Sequence, residues 1–221
     1  MTECLLCKGQ IEDKSSFLRL FLLKEEGPSC CSTCYQNFER ISEEHCPRCF
    51  RDGKSDLCTD CKKWEEEGNL VQHQSLFTYN QAMKAYFSQY KFQGDYALRF
   101  VFAKATKKAV KMFREHTIVP IPVSIEKFQV RGFNQVQGIL DAGKVAYRNI
   151  LEKKDTLAQS SKTREERLQT QQAFEIKKEV DLPDKILLVD DIYTTGKTLQ
   201  LAKQILLEAG VKEVLSFSIA R

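Results

Sequence analysis

Beyond residue 74 the apolar positions follow two rhythms: short unbroken runs, and longer stretches in which they return every third or fourth residue. The first suits strands buried on both faces, the second helices with one apolar side. Residues 75–79 read as a short strand, and Asn80 stands where it can cap a helix carrying Met83, Tyr86, Phe87 and Tyr90 on one side. Gly94 breaks the pattern, which resumes with Leu98, Phe102, Ala105, Ala109 and Met112 and predicts a long amphipathic helix ending near His116. Residues 118–123, interrupted by two prolines, predict a buried strand running into a loop, and residues 133–147 another helix. Residues 153–172 are rich in Lys, Gln, Ser, Thr and Arg with little apolar periodicity, which predicts a mobile loop. Residues 186–189 are a continuous apolar run, residues 198–209 a helix stopped by Gly210, and residues 214–219 a last strand. Strand, helix, strand in that order implies a right-handed parallel unit. The expected class is therefore α/β, with helices on both faces of a parallel sheet and ligands at the carboxyl ends of its strands.

The front of the chain is built differently. All nine cysteines lie between Cys4 and Cys61, and eight of them form four CxxC pairs: Cys4 with Cys7, Cys31 with Cys34, Cys46 with Cys49, and Cys58 with Cys61. A CxxC turn aims two sulfurs at one point, and two such turns complete the tetrahedral shell of a structural zinc. Two zinc ions are expected. Sequence order groups the first two pairs and the last two, with an interleaved grouping left open. Four sulfurs per ion leave no position for water or substrate, so the role is structural. Some sixty residues with few large apolar groups need such staples. Disulfides would require an oxidising compartment, and the sequence shows no export signal. Cys30 has no assigned role, and His45 reads as a surface residue. The expected division is a double zinc ribbon over residues 1–63, a polar linker over 64–74 and an α/β domain over 75–221.

Composition adds little beyond exclusions. Hydrophobic residues at 42% and charged residues at 29% are ordinary for a globular protein, and the net charge of +4 permits an anionic ligand without demanding one. The apolar stretch at residues 17–23 is interrupted by Arg19 and too short to cross a bilayer. The expectation is a cytoplasmic protein without membrane insertion.

The most informative segment is ILLVDDIYTTGKTL, residues 186–199. Two carboxylates stand where the buried strand emerges, followed by a Thr and Gly loop and a helix start. Such a loop offers backbone N–H groups at the positive end of a helix dipole, with the hydroxyls of Thr194, Thr195 and Thr198 as further donors. It suits a phosphate monoester, and Gly196 lets the backbone approach the anion. Asp190 and Asp191 would repel phosphate, so their place is against sugar hydroxyls or a magnesium ion bridging those hydroxyls and a pyrophosphate. Gly196, Lys197 and Thr198 also spell the end of a nucleotide-triphosphatase P-loop. That motif needs a glycine where Asp191 stands, and a carboxylate aimed at phosphates defeats it.

The segment resembles the phosphoribosyl pyrophosphate motif of type I phosphoribosyltransferases, in which the acid pair holds the ribose hydroxyls and the following loop the 5-phosphate. Residues 119–135 (VPIPVSIEKFQVRGFNQ), residues 90–95 (YKFQGD) and the cysteine pairs resemble the ComF/GntX family, most closely its ComFC branch, the late competence proteins. The resemblance covers nearly the whole chain. It implies a type I phosphoribosyltransferase fold after a small zinc-ribbon domain, with the reacting sugar at Asp190 and Asp191 and its phosphate at Thr194, Thr195, Gly196, Lys197 and Thr198. It further implies a pyrophosphate loop from Pro122 to Ser124, Arg131 near the anion, and a flexible segment around Lys162, Arg164 and Arg167 closing over it. Arg can fork two hydrogen bonds to pyrophosphate, and closure would exclude water from a reactive ribosyl centre. Lys91 and Asn134 read equally as ligand contacts or as structural hydrogen-bond partners.

The leading expectation, resting on that resemblance, is a competence protein that handles single-stranded DNA in natural transformation alongside other competence proteins. Phosphoribosyl pyrophosphate with magnesium is its expected ligand or substrate. The alternative is a metabolic phosphoribosyltransferase acting on a nucleobase or amine. No acceptor pocket is recognisable in the sequence, so catalysis itself is left open. Lys104, Lys107, Lys108, Lys111 and Arg114 line one side of the long helix, either a solvated face or a track for a phosphate backbone.

Overall fold

The computed structural model describes residues 2–11, 29–53, 55–153 and 173–221. Its centre is a four-stranded, wholly parallel sheet ordered β3-β8-β7-β4. The strands are β3 (His73–Phe77), β4 (Thr117–Pro120), β7 (Lys185–Ile192) and β8 (Glu213–Ala220). β7 is central, paired to β4 through Val119 and Leu188 and to β8 through Leu187 and Leu215. The register sets Phe77, Ala220 and Ile192 side by side at the carboxyl ends of the strands, where β4 stops at Pro120 opposite Val189. That end of the sheet carries the candidate site. Fold class thus follows the sequence reading: α/β with a parallel sheet.

The unbroken apolar run of β7 is explained by cover on both faces. Ile186 and Leu188 pack with Leu199, Ala202 and Leu206 of the last helix, here α7 (Lys197–Glu208). Leu187 and Val189 face the other way, against Val136 and Leu140 of α6 (Gln135–Ala142) and Val110 of α4 (Arg99–Val110). Each such side chain contributes roughly 1.5–3 kcal/mol when removed from water, so the strand is fixed before its acidic end is reached. α3 (Gln81–Phe92) begins at Asn80, whose side chain accepts from the Met83 N–H, and buries Met83, Tyr86, Phe87 and Tyr90. That is the face its periodicity predicts.

Several expected boundaries shift. The long helix ends at Val110 and passes into a 3₁₀ turn over Lys111–Phe113, so Met112 is 77% exposed rather than part of the apolar stripe. The expected helix at 133–147 is shorter, because Gly143 caps it and Lys144 takes a positive φ of 51°. A separate helix, α5 (Ile125–Arg131), precedes it, and Gly132 at φ 81° ends that helix. Between them Asn134 caps α6 through its side-chain oxygen and donates to the Ile121 carbonyl at 2.9 Å. Its role is structural. A two-stranded hairpin, β5 (Leu151–Lys153) with β6 (Phe174–Ile176), packs beside α7. The expected loop and its Lys162, Arg164 and Arg167 lie outside the described residues.

The cysteine-bearing segments lie against the sheet domain. β1 (Thr2–Glu3) and β2 (Gln10–Ile11) bracket the first CxxC, and α1 (Ser32–Gln36) carries the second. Beside them Phe38 meets Phe102 edge-on at 4.8 Å, and Phe77 and Tyr86 complete the aromatic group. Cys30 is a buried member of this core, its thiol pushed up to about 11 first by burial and then by the neighbouring Cys4 and Cys31. α2 (Thr59–Glu66) carries Cys61, and Cys46, Cys49 and Cys61 share an apolar cluster with Tyr193, Ile186 and Leu199. Among the described residues no helix is long and apolar enough to cross a membrane.

Candidate ligand-binding site and metal centres

At the carboxyl end of β7, Asp190 and Asp191 leave the sheet in succession. The Asp190 Oδ1 accepts from the Asp191 N–H at 2.8 Å, and the Asp191 Oδ1 from the Ile192 N–H at 2.9 Å. These bonds point both carboxyls along the strand end. The second Asp191 oxygen meets the Lys91 ammonium, whose charge also lies 4.7 Å from the centre of the Phe87 ring. Burial and the adjacent Asp191 charge hold the Asp190 carboxyl well above the usual carboxylate range. Lys91 is thus the cation set directly against the acid pair.

The acids sit at the base of a cleft of about 440 Å³ bounded by Lys91, Pro122, Arg131, Lys153 and Thr198, with Phe92 and Val130 at its rim. Arg131 is fixed from behind: its Nε donates to the Lys91 carbonyl at 3.1 Å and its Nη1 to the Gln135 side chain. Burial lowers the Lys153 pKa, as does Lys127, while Asp190 raises it. A site floored by acids and walled by cations fits a sugar carrying anionic groups, since the hydroxyls meet carboxylates and the phosphates meet positive charge.

β7 and α7 are joined by the turn Tyr193–Gly196. Gly196 has φ 82°, and a Cβ on it would stand 2.1 Å from the Tyr193 hydroxyl oxygen. Glycine is thus required here by backbone geometry and by the tyrosine ring, in addition to any approach of an anion. Among the described residues the N–H groups of Thr194, Thr195 and Gly196 have no acceptor, while the Lys197 N–H reaches the Thr195 hydroxyl at 3.4 Å. Their carbonyls are occupied elsewhere. The Arg221 Nη1 donates to the Thr194 carbonyl at 2.5 Å and lies 3.4 Å from that of Tyr193, and the Trp64 indole N–H donates to the Thr195 carbonyl at 2.9 Å. Free amides at a helix start form an anion seat.

Of the residues singled out in the sequence, Asp190, Asp191, Pro122, Arg131 and Thr198 line one cleft. Thr194, Thr195 and Lys197 are exposed on the adjoining turn. The Ser124 hydroxyl caps α5 by accepting from the Lys127 N–H at 3.4 Å. Lys91, left open by the sequence, is the counter-ion of the acid pair. Lys153, Trp64 and Arg221 were not foreseen. Lys153 closes a three-residue strand beside a polar segment, and the other two reach the turn from 131 and 27 residues away.

The cysteines assemble in sequence order. Cys4, Cys7, Cys31 and Cys34 form one group and Cys46, Cys49, Cys58 and Cys61 the other, all sulfurs in each lying within 4.8 Å of one another. Four thiolates at the zinc–sulfur distance of about 2.3 Å stand about 3.8 Å apart at tetrahedral angles. Cys7 and Cys31 are 3.9 Å apart, and Cys49 and Cys58 3.5 Å. Backbone N–H groups support the sulfurs: that of Cys31 on Cys4 at 3.3 Å, and that of Cys58 on Cys46 at 3.4 Å. Burial raises the Cys4 thiol, but the amides of Cys7, Cys31 and Leu6 bring it down to about 6. Both groups have the donors and spacing of structural zinc sites. His45 stays outside, stacked on Phe50 at 4.0 Å.

A parallel sheet with an acid pair and a Thr–Gly turn at the carboxyl end of its central strand fits a phosphoribosyltransferase fold, and the family described as "Phosphoribosyl transferase domain" matches residues 136–221. Whole-chain comparison is more specific. "Competence protein ComFC" of Streptococcus pneumoniae is 47% identical over 99% of this chain and its own full length. The protein of the same name in Bacillus subtilis is 34% identical over 99% of this chain and 94% of its own. "Competence protein F" of Haemophilus influenzae is 23% identical, again over 99% of this chain. The chain belongs to the ComFC family of competence proteins.

Proposed function

We propose that this protein binds phosphoribosyl pyrophosphate as its magnesium complex and acts in the uptake or handling of single-stranded DNA during natural transformation. The observation that carries the ligand is the turn Thr194–Gly196, whose three amides, directly after the acid pair, have no acceptor among the described residues. In this reading the turn takes the 5-phosphate, and Asp190 and Asp191 take the ribose hydroxyls with help from the magnesium ion. Arg131, Lys153 and the loop from Pro122 to Ser124 face the pyrophosphate, and Lys162, outside the described residues, is a further candidate ligand to it. Lys91 exchanges its carboxylate partner as the sugar arrives. Both cysteine groups hold zinc. The names of the relatives support the biological setting, and the exposed Lys104, Lys108 and Lys111 along α4 and the turn after it supply a candidate DNA track.

Calorimetry with phosphoribosyl pyrophosphate and magnesium tests the ligand. The wild type should bind, and Asp190→Ala with Asp191→Ala should weaken binding by about 100-fold, because the double variant removes two charge-assisted hydrogen bonds to the sugar. Equal affinity of the two proteins would remove the assignment. Each neutralised phosphate of a single strand contributes about 0.7 to the slope of log affinity against log salt, so Lys108→Glu with Lys111→Glu should lower it by about 1.4. An unchanged slope would place DNA elsewhere. Consumption of the ligand with release of pyrophosphate in the presence of a nucleobase or ammonia would favour the metabolic alternative.

A further inference from the structure

We propose that Trp64 and Arg221 are positioning residues for the phosphate turn, and that through them the second cysteine group sets the direction in which the turn's amides point. The inference rests on the reading of that turn as the phosphate seat. A peptide unit is planar and trans, so the N–H of one residue points opposite to the carbonyl of the residue before it. Holding the carbonyls of Tyr193, Thr194 and Thr195 on one side therefore sends the N–H groups of Thr194, Thr195 and Gly196 to the other. Arg221 and Trp64 make those carbonyl contacts, at 3.4, 2.5 and 2.9 Å in that order. A free turn of Thr and Gly could rotate a carbonyl toward the anion and repel it. The clamped turn presents donors alone.

Both clamps are anchored at the second cysteine group. Trp64 lies on α2, the helix that also carries Cys61. The Arg221 side chain is 6% exposed. Its Nη2 lies 3.5 Å from the Asp60 carboxylate and 3.9 Å from the Cys58 sulfur, and its guanidinium covers the Tyr193 ring at 4.5 Å. Tyr193 rests in turn on His73, with ring centres 4.2 Å apart. A four-thiolate site stays net anionic around a divalent ion, so it holds the guanidinium electrostatically as well as by contact. The cysteine group thus has a task beyond stapling its own segment.

The test uses the full, metal-loaded chain with Trp64→Phe, which removes the indole donor and keeps a ring, together with Arg221→Gln and Arg221→Lys. Two readouts are taken: backbone order parameters of residues 194–197 without ligand, and affinities for ribose 5-phosphate and for pyrophosphate. Removal of one hydrogen bond predicts about a five-fold loss of ribose 5-phosphate affinity for Trp64→Phe, and about 30-fold for Arg221→Gln, with partial recovery in Arg221→Lys. Pyrophosphate affinity should stay within about two-fold of wild type. Order parameters should fall from about 0.85 toward 0.6 in Trp64→Phe and Arg221→Gln at unchanged metal content. If the wild type binds ribose 5-phosphate and both variants match it in affinity and order, the clamp is overturned and the phosphate seat stands. If the wild type does not bind it, the seat falls, and the order parameters alone decide the clamp: a drop upholds it and no change removes it.

Discussion

The pairing of Lys91 with Asp191 allows a quantitative test of how the cleft floor is held. Their side chains are 14% and 8% exposed, so the pair belongs with desolvated ion pairs rather than with surface pairs worth about 0–1 kcal/mol. Lys91→Met leaves a buried carboxylate with a second acid beside it and no cation against it, and should cost about 3–5 kcal/mol. Asp191→Asn is milder. The stranded ammonium still has Asp190 nearby, whose carboxyl loses the Asp191 charge that, after burial, helps to hold its pKa up. A cost of about 1–2 kcal/mol is expected, and the double variant, with no buried charge left unpaired, should fall near the same value. The coupling energy then equals the Lys91→Met cost, about 3–5 kcal/mol. Urea unfolding in excess zinc measures it. With a slope of about 2–3 kcal/mol per molar, Lys91→Met should shift the midpoint down by more than 1 M and Asp191→Asn by about half that. Additive costs, with coupling under about 0.5 kcal/mol, would refute the idea that the floor needs its lysine.

Gly196→Ala should destabilise the protein by about 2–4 kcal/mol, from the left-handed φ and the displacement of the Tyr193 ring, read as a lowered unfolding midpoint. His73 is buried with its ring nitrogens bonded to Ser216, Ser75 and Ser218, and burial, followed by the Arg221 charge, holds its pKa well below 6.5. Above pH 6.5 the imidazole is neutral in folded and unfolded chains alike. As pH falls below that, the unfolded chain takes the proton and the folded one does not, so stability drops by up to about 1.4 kcal/mol per pH unit. His73→Gln should flatten that limb in unfolding curves taken between pH 7 and 5. If zinc fills the two cysteine groups as proposed, a chelator should loosen residues 193–198 as well as the cysteine segments. The chain's single tryptophan, Trp64, reports this directly as a red-shifted emission.

What could be read in advance was local. The acid pair, the Thr–Gly turn and the CxxC pairs are short-range patterns, and each segment's chemistry is complete within a few residues. Lys91, Trp64 and Arg221 reach their partners across 100, 131 and 27 residues, so only the sheet register reveals them. α5 is not visible in the sequence because this seven-residue helix buries none of its side chains: Ile125, Phe128 and Val130 are exposed, so no apolar stripe marks it. Met112 misled for the converse reason: it kept the helical spacing after the chain had tightened into a 3₁₀ turn. Asn134, ambiguous in the sequence, is claimed by two amides and a carbonyl once α6 and β4 are in place.

Cys46, Cys49 and Cys61 share one apolar cluster with Tyr193, Ile186 and Leu199. Excising the cysteine-bearing region would strip the wall from the turn and wet that cluster, so a truncated chain with weakened ligand affinity would not identify zinc as a participant in recognition. Point substitutions at the seam, rather than deletions, are the scalpel suited to separating the two halves.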